Sequence, residues 1–278
     1  MASNAYNTIV LEQKDRVAHI ILNRPELHNA FNSEMITEMA SAFKRIGAEE
    51  SVRVIVLTGR GKSFCAGADL NWMREIIHYS YEQNLEESMQ VAALLHRIYF
   101  LPKPTIAMVN GTAIGGGTGF LSVCDIAIAS EEAKFGLSEV KIGLIPAAIG
   151  PYVIRKIGES KAREYFLTGR RITAKKAMEI GLVNDVVAHA QLQEKTDEIV
   201  DLFLSSGPEA IAKCKELIFR VPHMSFEEAI PYTAEMIANL RASEEGQEGM
   251  AAFLEKRRPH WADKKEVKKQ GEKKKTDK

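Results

Sequence analysis

The chain has 278 residues, 45% of them hydrophobic and 27% charged, with 37 basic side chains against 37 acidic ones. That length buries a substantial core, and the even charge balance excludes a global pull toward nucleic acid or acidic ligands. No apolar run is long enough to span a bilayer, and the first residues have neither a secretory leader's basic and apolar regions nor an Arg-rich transit pattern. Cys65, Cys124 and Cys214 show no disulfide or metal-ligand spacing, so a soluble protein of the cytoplasm that uses no metal is expected.

The first elements are two strands, residues 8–13 and 16–22, joined at Lys14-Asp15 as a hairpin. Ser33 is placed to cap a helix running to about Ile46, with Met35, Met39, Phe43 and Ile46 along one face. Residues 52–58 form a short buried strand, followed by a turn of small residues from Gly59 to Leu70. Residues 71–101 read as one long helical stretch with Val91, Leu94, Ile98 and Leu101 on its apolar face. Its first part, around His78, Tyr79 and Tyr81, is expected to cover a pocket.

The order of strand, small-residue turn and helix then recurs. Thr105 to Val109 is a buried strand, glycines follow at 111, 115, 116, 117 and 119, and residues 120–124 read as a buried helix. Such a turn aims free backbone N–H groups at one spot, and glycine lets a ligand approach without meeting a Cβ. About twenty residues on, Glu139 stands alone among apolar neighbours. Further helical stretches cover 152–157, 160–168 and 174–180, with Thr173 as a cap and Gly169 and Gly181 as stops, and residues 183–187 are a last strand. From about residue 192 the pattern is helical only, with Pro208 at a helix start and a capping box at Ser225-x-x-Glu228. Three parts follow: a core of 1–190, a helical region of 191–263 with apolar faces for partners, and a Lys-rich tail of 264–278 expected to be disordered. Asp69 and Asp125 read as structural acids that cap turns or helices, Cys65 and Cys124 as small core residues, and Met35, Met39 and Met250 as core.

These turns, taken in order, resemble the crotonase (enoyl-CoA hydratase/isomerase) superfamily over nearly the whole chain. The segments that carry the resemblance are Asn23-Arg24-Pro25, residues 64–70 (FCAGADL), Gly115-Gly116-Gly117, Cys124-Asp125, residues 135–139 (FGLSE), residues 142–146 (IGLIP) and residues 251–257 (AAFLEKR). The resemblance implies an α/β fold, a crotonase-type spiral of ββα units with a C-terminal helical trimerisation region. It implies homotrimers or dimers of trimers acting on acyl-CoA thioesters, with CoA entering as part of the substrate and no separate cofactor. By position, the backbone N–H groups of Ala68 and Gly116 would form an oxyanion hole, and Glu139 would be the catalytic carboxylate. Ala66, Ala68, Asp69, Leu70 and Asn71 would lie along the adenine nucleotide of CoA, with Phe253 and Lys256 closing over it. Hydratases of this family often carry lysine where this chain has Asn71. Their usual first glutamate is replaced here by Gly119, which is expected to leave room for a branched or longer acyl group.

The segment from Leu137 to Ile154, together with residues 67–74 (GADLNWMR), is most similar to bacterial methylglutaconyl-CoA hydratase-type members. The resemblance therefore implies a hydratase working with one glutamate on a branched enoyl-CoA. The alternative is a Δ3,Δ2-enoyl-CoA isomerase using the same Glu139. A carboxyl-bearing acyl group would call for a cation, for which Arg74, His78 and Arg155 are candidates. Nucleic-acid binding through the lysine tail is disfavoured by the zero net charge.

Overall fold

The computed structural model describes residues 6–262, so the Lys-rich tail lies outside the described residues. Among the described residues ten strands make two sheets. The larger contains β1 (Ile9–Lys14), β2 (Val17–Leu22), β3 (Val54–Gly59), β5 (Thr105–Val109), β7 (Ile126–Ser130) and β10 (Asp185–Val187), in the order β1-β2-β3-β5-β7-β10. The smaller contains β4 (Ser63–Cys65), β6 (Thr112–Ile114), β8 (Lys134–Gly136) and β9 (Ile172–Thr173), in the order β4-β6-β8-β9. The chain alternates between them: β3, β5 and β7 are neighbours in one sheet, and the strand after each is a neighbour of its counterpart in the other. Each turn of the spiral thus contributes one strand to each sheet. Among the described residues only the β1–β2 hairpin and the β8–β9 pair are antiparallel.

Strand alternation explains the layering. On one face of the large sheet Ile55, Leu57, Ala107, Val109, Ala127 and Ala129 point into the main core, where α1 (Ser33–Ala48) packs through Met35, Met39, Phe43 and Ile46. On the other face Val54, Val56, Ile106 and Ile128 meet Leu192 and Val200 of α7 (Leu192–Ser205). The first helix after residue 190 is therefore a layer of the core sandwich. Beyond it lie α8 (Pro208–Arg220), α9 (Phe226–Ala242) and α10 (Glu244–Leu254), which pack mainly against one another.

Several local expectations are corrected. The cap of α1 is Asn32, whose side chain accepts from the Met35 amide, and Ser33 is already the first helical residue. The stretch after residue 70 is two helices, α2 (Leu70–Ile76) and α3 (Tyr81–Tyr99), because Ser80 and Gln83 form a capping box that starts a new helix. The buried helix after the glycines, α4 (Gly116–Ser122), begins inside the glycine cluster. By contrast, the break inside α5 (Gly150–Thr168) falls at Gly158, with φ 73°, and Gly169 ends the helix at φ 59°. Thr173 caps α6 (Ala174–Glu179). Met35 and Met39 are fully buried, but Met250 is exposed.

Candidate active site

Each site element sits at the end of a strand of the small sheet. The Gly136 carbonyl, closing β8, accepts from the Gly115 amide at 2.8 Å and from the Thr118 hydroxyl at 3.1 Å. These bonds pin the end of β8 against the glycine turn. Three residues later the chain enters a short 3-10 helix, Glu139–Ile142, closed by Gly143 in the left-handed region. Glu139 is thereby held beside the turn: a Cβ built on Gly115 would lie 3.1 Å from Glu139 Oε1. Gly115 itself has φ 53°, a conformation an L side chain rarely adopts.

The carboxylate is poorly solvated. Glu139 Oε2 is buried and has no hydrogen-bond partner among the described residues. Burial pushes its pKa upward, and a bond to its own backbone amide offsets only part of that. Beside it run Ile142, Leu144 and Ile145, all exposed.

On the facing side, Ala68 forms an isolated parallel bridge with Phe31. The bridge uses the Phe31 amide donating to Gly67 O and the Asp69 amide donating to Phe31 O, both at 2.9 Å. A parallel bridge built on the flanking groups turns the central residue's own N–H the other way. The Ala68 amide is therefore left without a partner among the described residues. Gly116, as the first residue of α4, likewise has an amide with no intrahelical acceptor.

The residues named for CoA contact divide into two places. Ala66, Ala68, Asp69, Leu70 and Asn71 lie in one turn, with Ala66, Leu70 and Asn71 exposed. The Asp69 carboxylate has work of its own. It caps α2 through the Asn71 and Trp72 amides and pairs with Arg24 at 2.7 Å. Its burial raises the pKa, but the Asn71 amide, the Arg24 guanidinium and the Trp72 amide outweigh that and hold it below the ordinary range. Phe253, 82% exposed, lies in the last turn of α10 and Lys256 just beyond its end, and α10 packs mainly against α8 and α9. Of the candidate cations, Arg74 donates to Asn71 Oδ1 at 2.5 Å, His78 is exposed between α2 and α3, and Arg155 meets His223 at 3.4 Å.

Gly119 does not leave room. A Cβ there would overlap Ile149 Cγ2 and lie 2.9 Å from Ile149 Cβ. Ile149, only 4% exposed, occupies the space a side chain at 119 would need. The expected enlargement of the acyl pocket is thus overturned: an apolar side chain from the start of α5 fills it. Sequence reasoning missed Ile149, since nothing in the order of residues pairs it with Gly119.

Asp125 is structural, its Oδ2 accepting from the Thr105 amide at 2.7 Å and hydroxyl at 2.9 Å and from Lys215 at 2.7 Å. Burial pushes the Cys65 and Cys124 thiols up to about 12, which leaves them inert. Among the described residues no group of His, Cys, Asp and Glu gathers as a metal site, and no helix is long and apolar enough to cross a membrane.

The two-sheet spiral thus carries, at the ends of its small-sheet strands, two amides without a partner among the described residues and a half-buried carboxylate, in a mixed α/β fold. This chain belongs to the enoyl-CoA hydratase/isomerase family, which matches residues 12–264. It is 35% identical to the short-chain-enoyl-CoA hydratase of Clostridium acetobutylicum, over 91% of this chain and 96% of that one. It is 32% identical to the 2,3-dehydroadipyl-CoA hydratase of Escherichia coli, over 90% of this chain and 97% of that one. The crystal structure of an enoyl-CoA hydratase from Shewanella pealeana superposes with a TM-score of 0.90 at 41% identity, covering 92% and 96% of the two chains.

Proposed function

We propose that this protein is an enoyl-CoA hydratase, a hydro-lyase that adds water across the 2,3 double bond of an enoyl-CoA thioester with Glu139 as its single catalytic carboxylate. The observation that carries the reading is the half-buried Glu139 carboxylate, its Oε2 buried and without a partner among the described residues, beside the glycine turn whose next amide, Gly116, has no intrahelical acceptor. The amides of Ala68 and Gly116 hold the thioester oxygen. A water oxygen bonds to Cβ while Glu139 takes one of its protons, and the π pair moves toward the thioester as an enolate. The proton then passes from Glu139 to Cα, giving the 3-hydroxyacyl-CoA and restoring the carboxylate. Donors placed where negative charge develops are worth roughly 3 to 4 kcal/mol each in the transition state. The raised pKa of Glu139 suits a group that both takes and returns a proton near neutral pH.

In this reading the turn from Ala66 to Asn71 lies along the CoA nucleotide. Phe253 and Lys256 close over it from a neighbouring copy in a homotrimer or a dimer of trimers. The exposed apolar residues Phe226, Ile230 and Ile237 on α9 support such an assembly, and the free cysteines accord with the cytoplasm. A branched, 3-methylglutaconyl-like acyl group is the first substrate to try; it rests on the resemblance of the Leu137–Ile154 segment, since Ile149 removes the argument from space.

One observation favours a second reading. Ile149 fills the space beside Gly119, where the resemblance puts the usual first glutamate, so that position holds an apolar side chain in place of a second carboxylate, which suits moving a proton from C2 to C4 without water. Incubation with 3-methylglutaconyl-CoA, crotonyl-CoA and a 3-enoyl-CoA separates the two. A mass gain of one water, abolished in Glu139→Gln, is the expected result. Conversion of the 3-enoyl to the 2-enoyl thioester with no mass change would instead make the protein an isomerase.

A further inference from the structure

The two amides assigned to the thioester oxygen come from different turns of the spiral, so their separation has to be set by something that touches both. Strand pairing does not reach that far. β4 and β6 pair at Ser63–Thr112 and Cys65–Ala113, with an irregularity between, and the pairing stops before Ala68 and Gly116. Beyond that point Phe31 spans the gap. Its backbone brackets Ala68, donating to Gly67 O and accepting from the Asp69 amide. Its ring lies against the other turn, where a Cβ on Gly116 would be 2.5 Å from ring Cε1 and 2.7 Å from Cζ.

The ring is itself clamped. It meets Trp72 and Phe120 edge-on, with centroids 5.6 and 5.4 Å away, and only 6% of the residue is exposed. Phe120 belongs to α4, which carries the Gly116 amide, and Trp72 belongs to α2, which starts just after Ala68. The Trp72 indole N–H donates to both carboxylate oxygens of Glu87 on α3 at 3.1 Å. Edge-to-face aromatic contacts fix both distance and tilt.

We infer that Phe31 is a positioning residue, which sets the spacing of the Ala68 and Gly116 amides through a backbone clamp on one turn and a ring wedge against the other. The Trp72–Glu87 tie holds that wedge in place. This inference rests on the oxyanion role proposed above for the two amides.

The test compares the whole protein with Phe31→Leu, whose side chain is too short to reach Gly116, and with Trp72→Phe, which keeps a ring but loses the indole bond to Glu87. Two quantities are read: steady-state kcat and KM on crotonyl-CoA, and the carbonyl stretch of the bound thioester by difference infrared spectroscopy. Wild type and Glu139→Gln are expected to show the same lowering of the carbonyl frequency on binding, because both keep the amides. Phe31→Leu is expected to lose most of that lowering and to drop kcat by roughly 10- to 100-fold with KM little changed, as a misplacement of about 1 Å does. Trp72→Phe is expected to show the same signature at a few-fold size. A folded Phe31→Leu with wild-type kcat and an undiminished carbonyl shift would overturn the inference. Should Phe31→Leu not fold, Trp72→Phe decides: an unchanged kcat and frequency reject the inference. Absence of any carbonyl shift in wild type overturns the oxyanion reading itself, and the role of Phe31 goes with it.

Discussion

Two acids that lie beside the turns carrying the site's backbone amides have opposite surroundings. Asp69 follows Ala68 and is fully provided for, with two backbone amides and a guanidinium on its oxygens. Glu139 lies against the Gly115 turn with one oxygen buried and unpartnered. Their pKa values accordingly move in opposite directions, Asp69 down and Glu139 up. A satisfied carboxylate is a strut, because any reaction of it would cost the bonds it already makes. An unsatisfied buried one raises the energy of the resting state and is relieved by a proton, or by a water that carries one. The difference between these regions separates what holds the turn from what acts at it.

The largest expected effect comes from removing the unsatisfied acid. Glu139→Gln should lower kcat by about 10²- to 10⁴-fold, the usual contribution of a positioned general base, with an unchanged circular dichroism spectrum. Removing the satisfied one should do the reverse. Asp69→Ala leaves Arg24 half-buried and α2 uncapped, so the protein should lose about 3 kcal/mol of stability in urea titration. The size of that loss relative to the activity loss tests whether Asp69 is a strut.

A third change asks whether the acid beside Gly115 accepts company. Gly119→Glu drives a side chain into Ile149 and should cost about 1 to 3 kcal/mol without raising hydration. Adding Ile149→Ala should recover part of that stability, read as a shift in the thermal midpoint.

The smallest effect is in pH dependence, where the signs oppose. Asp69, with its lowered pKa, adds stability that is present above the ordinary carboxylate range and is lost as pH falls through its folded value. Glu139, with its raised pKa, binds its proton more tightly folded than unfolded, so stability falls as pH rises from the ordinary range through its folded value. Glu139→Gln should therefore be more stable than wild type near about pH 8, and the gain should vanish near about pH 3, below the ordinary glutamate value. Urea midpoints at the two pH values measure it.

What was legible in the sequence was local or ordered along the chain. Thr173, Gly169, Pro208 and the Ser225–Glu228 box each act within one turn of backbone, and the structure places each where its chemistry requires. The Ser80–Gln83 box was equally local, but the apolar spacing that continues through Leu94 and Ile98 masked the break. The site's backbone turns were visible because glycines and small residues recur after strands. Phe31 and Ile149 were not, because their importance lies in what their side chains meet across space, Gly116 for one and Gly119 for the other. A glycine announces that something is close; it does not say what.

The alternation between two sheets also bears on how the chain folds. Among the described residues only the β1–β2 hairpin pairs neighbours in sequence across a tight turn. Val17 must find Val54, and Ile55 must find Thr105, before the centre of the large sheet exists. Such distant pairings slow folding, because the entropy of closing each loop is lost before the contacts compensate it. During synthesis the hairpin and α1 can form early, but the outer face of β5 and β7 stays bare until α7 has been made. The polypeptide therefore passes through a stage with an uncovered apolar sheet, and its yield in the cell depends on how that interval is protected.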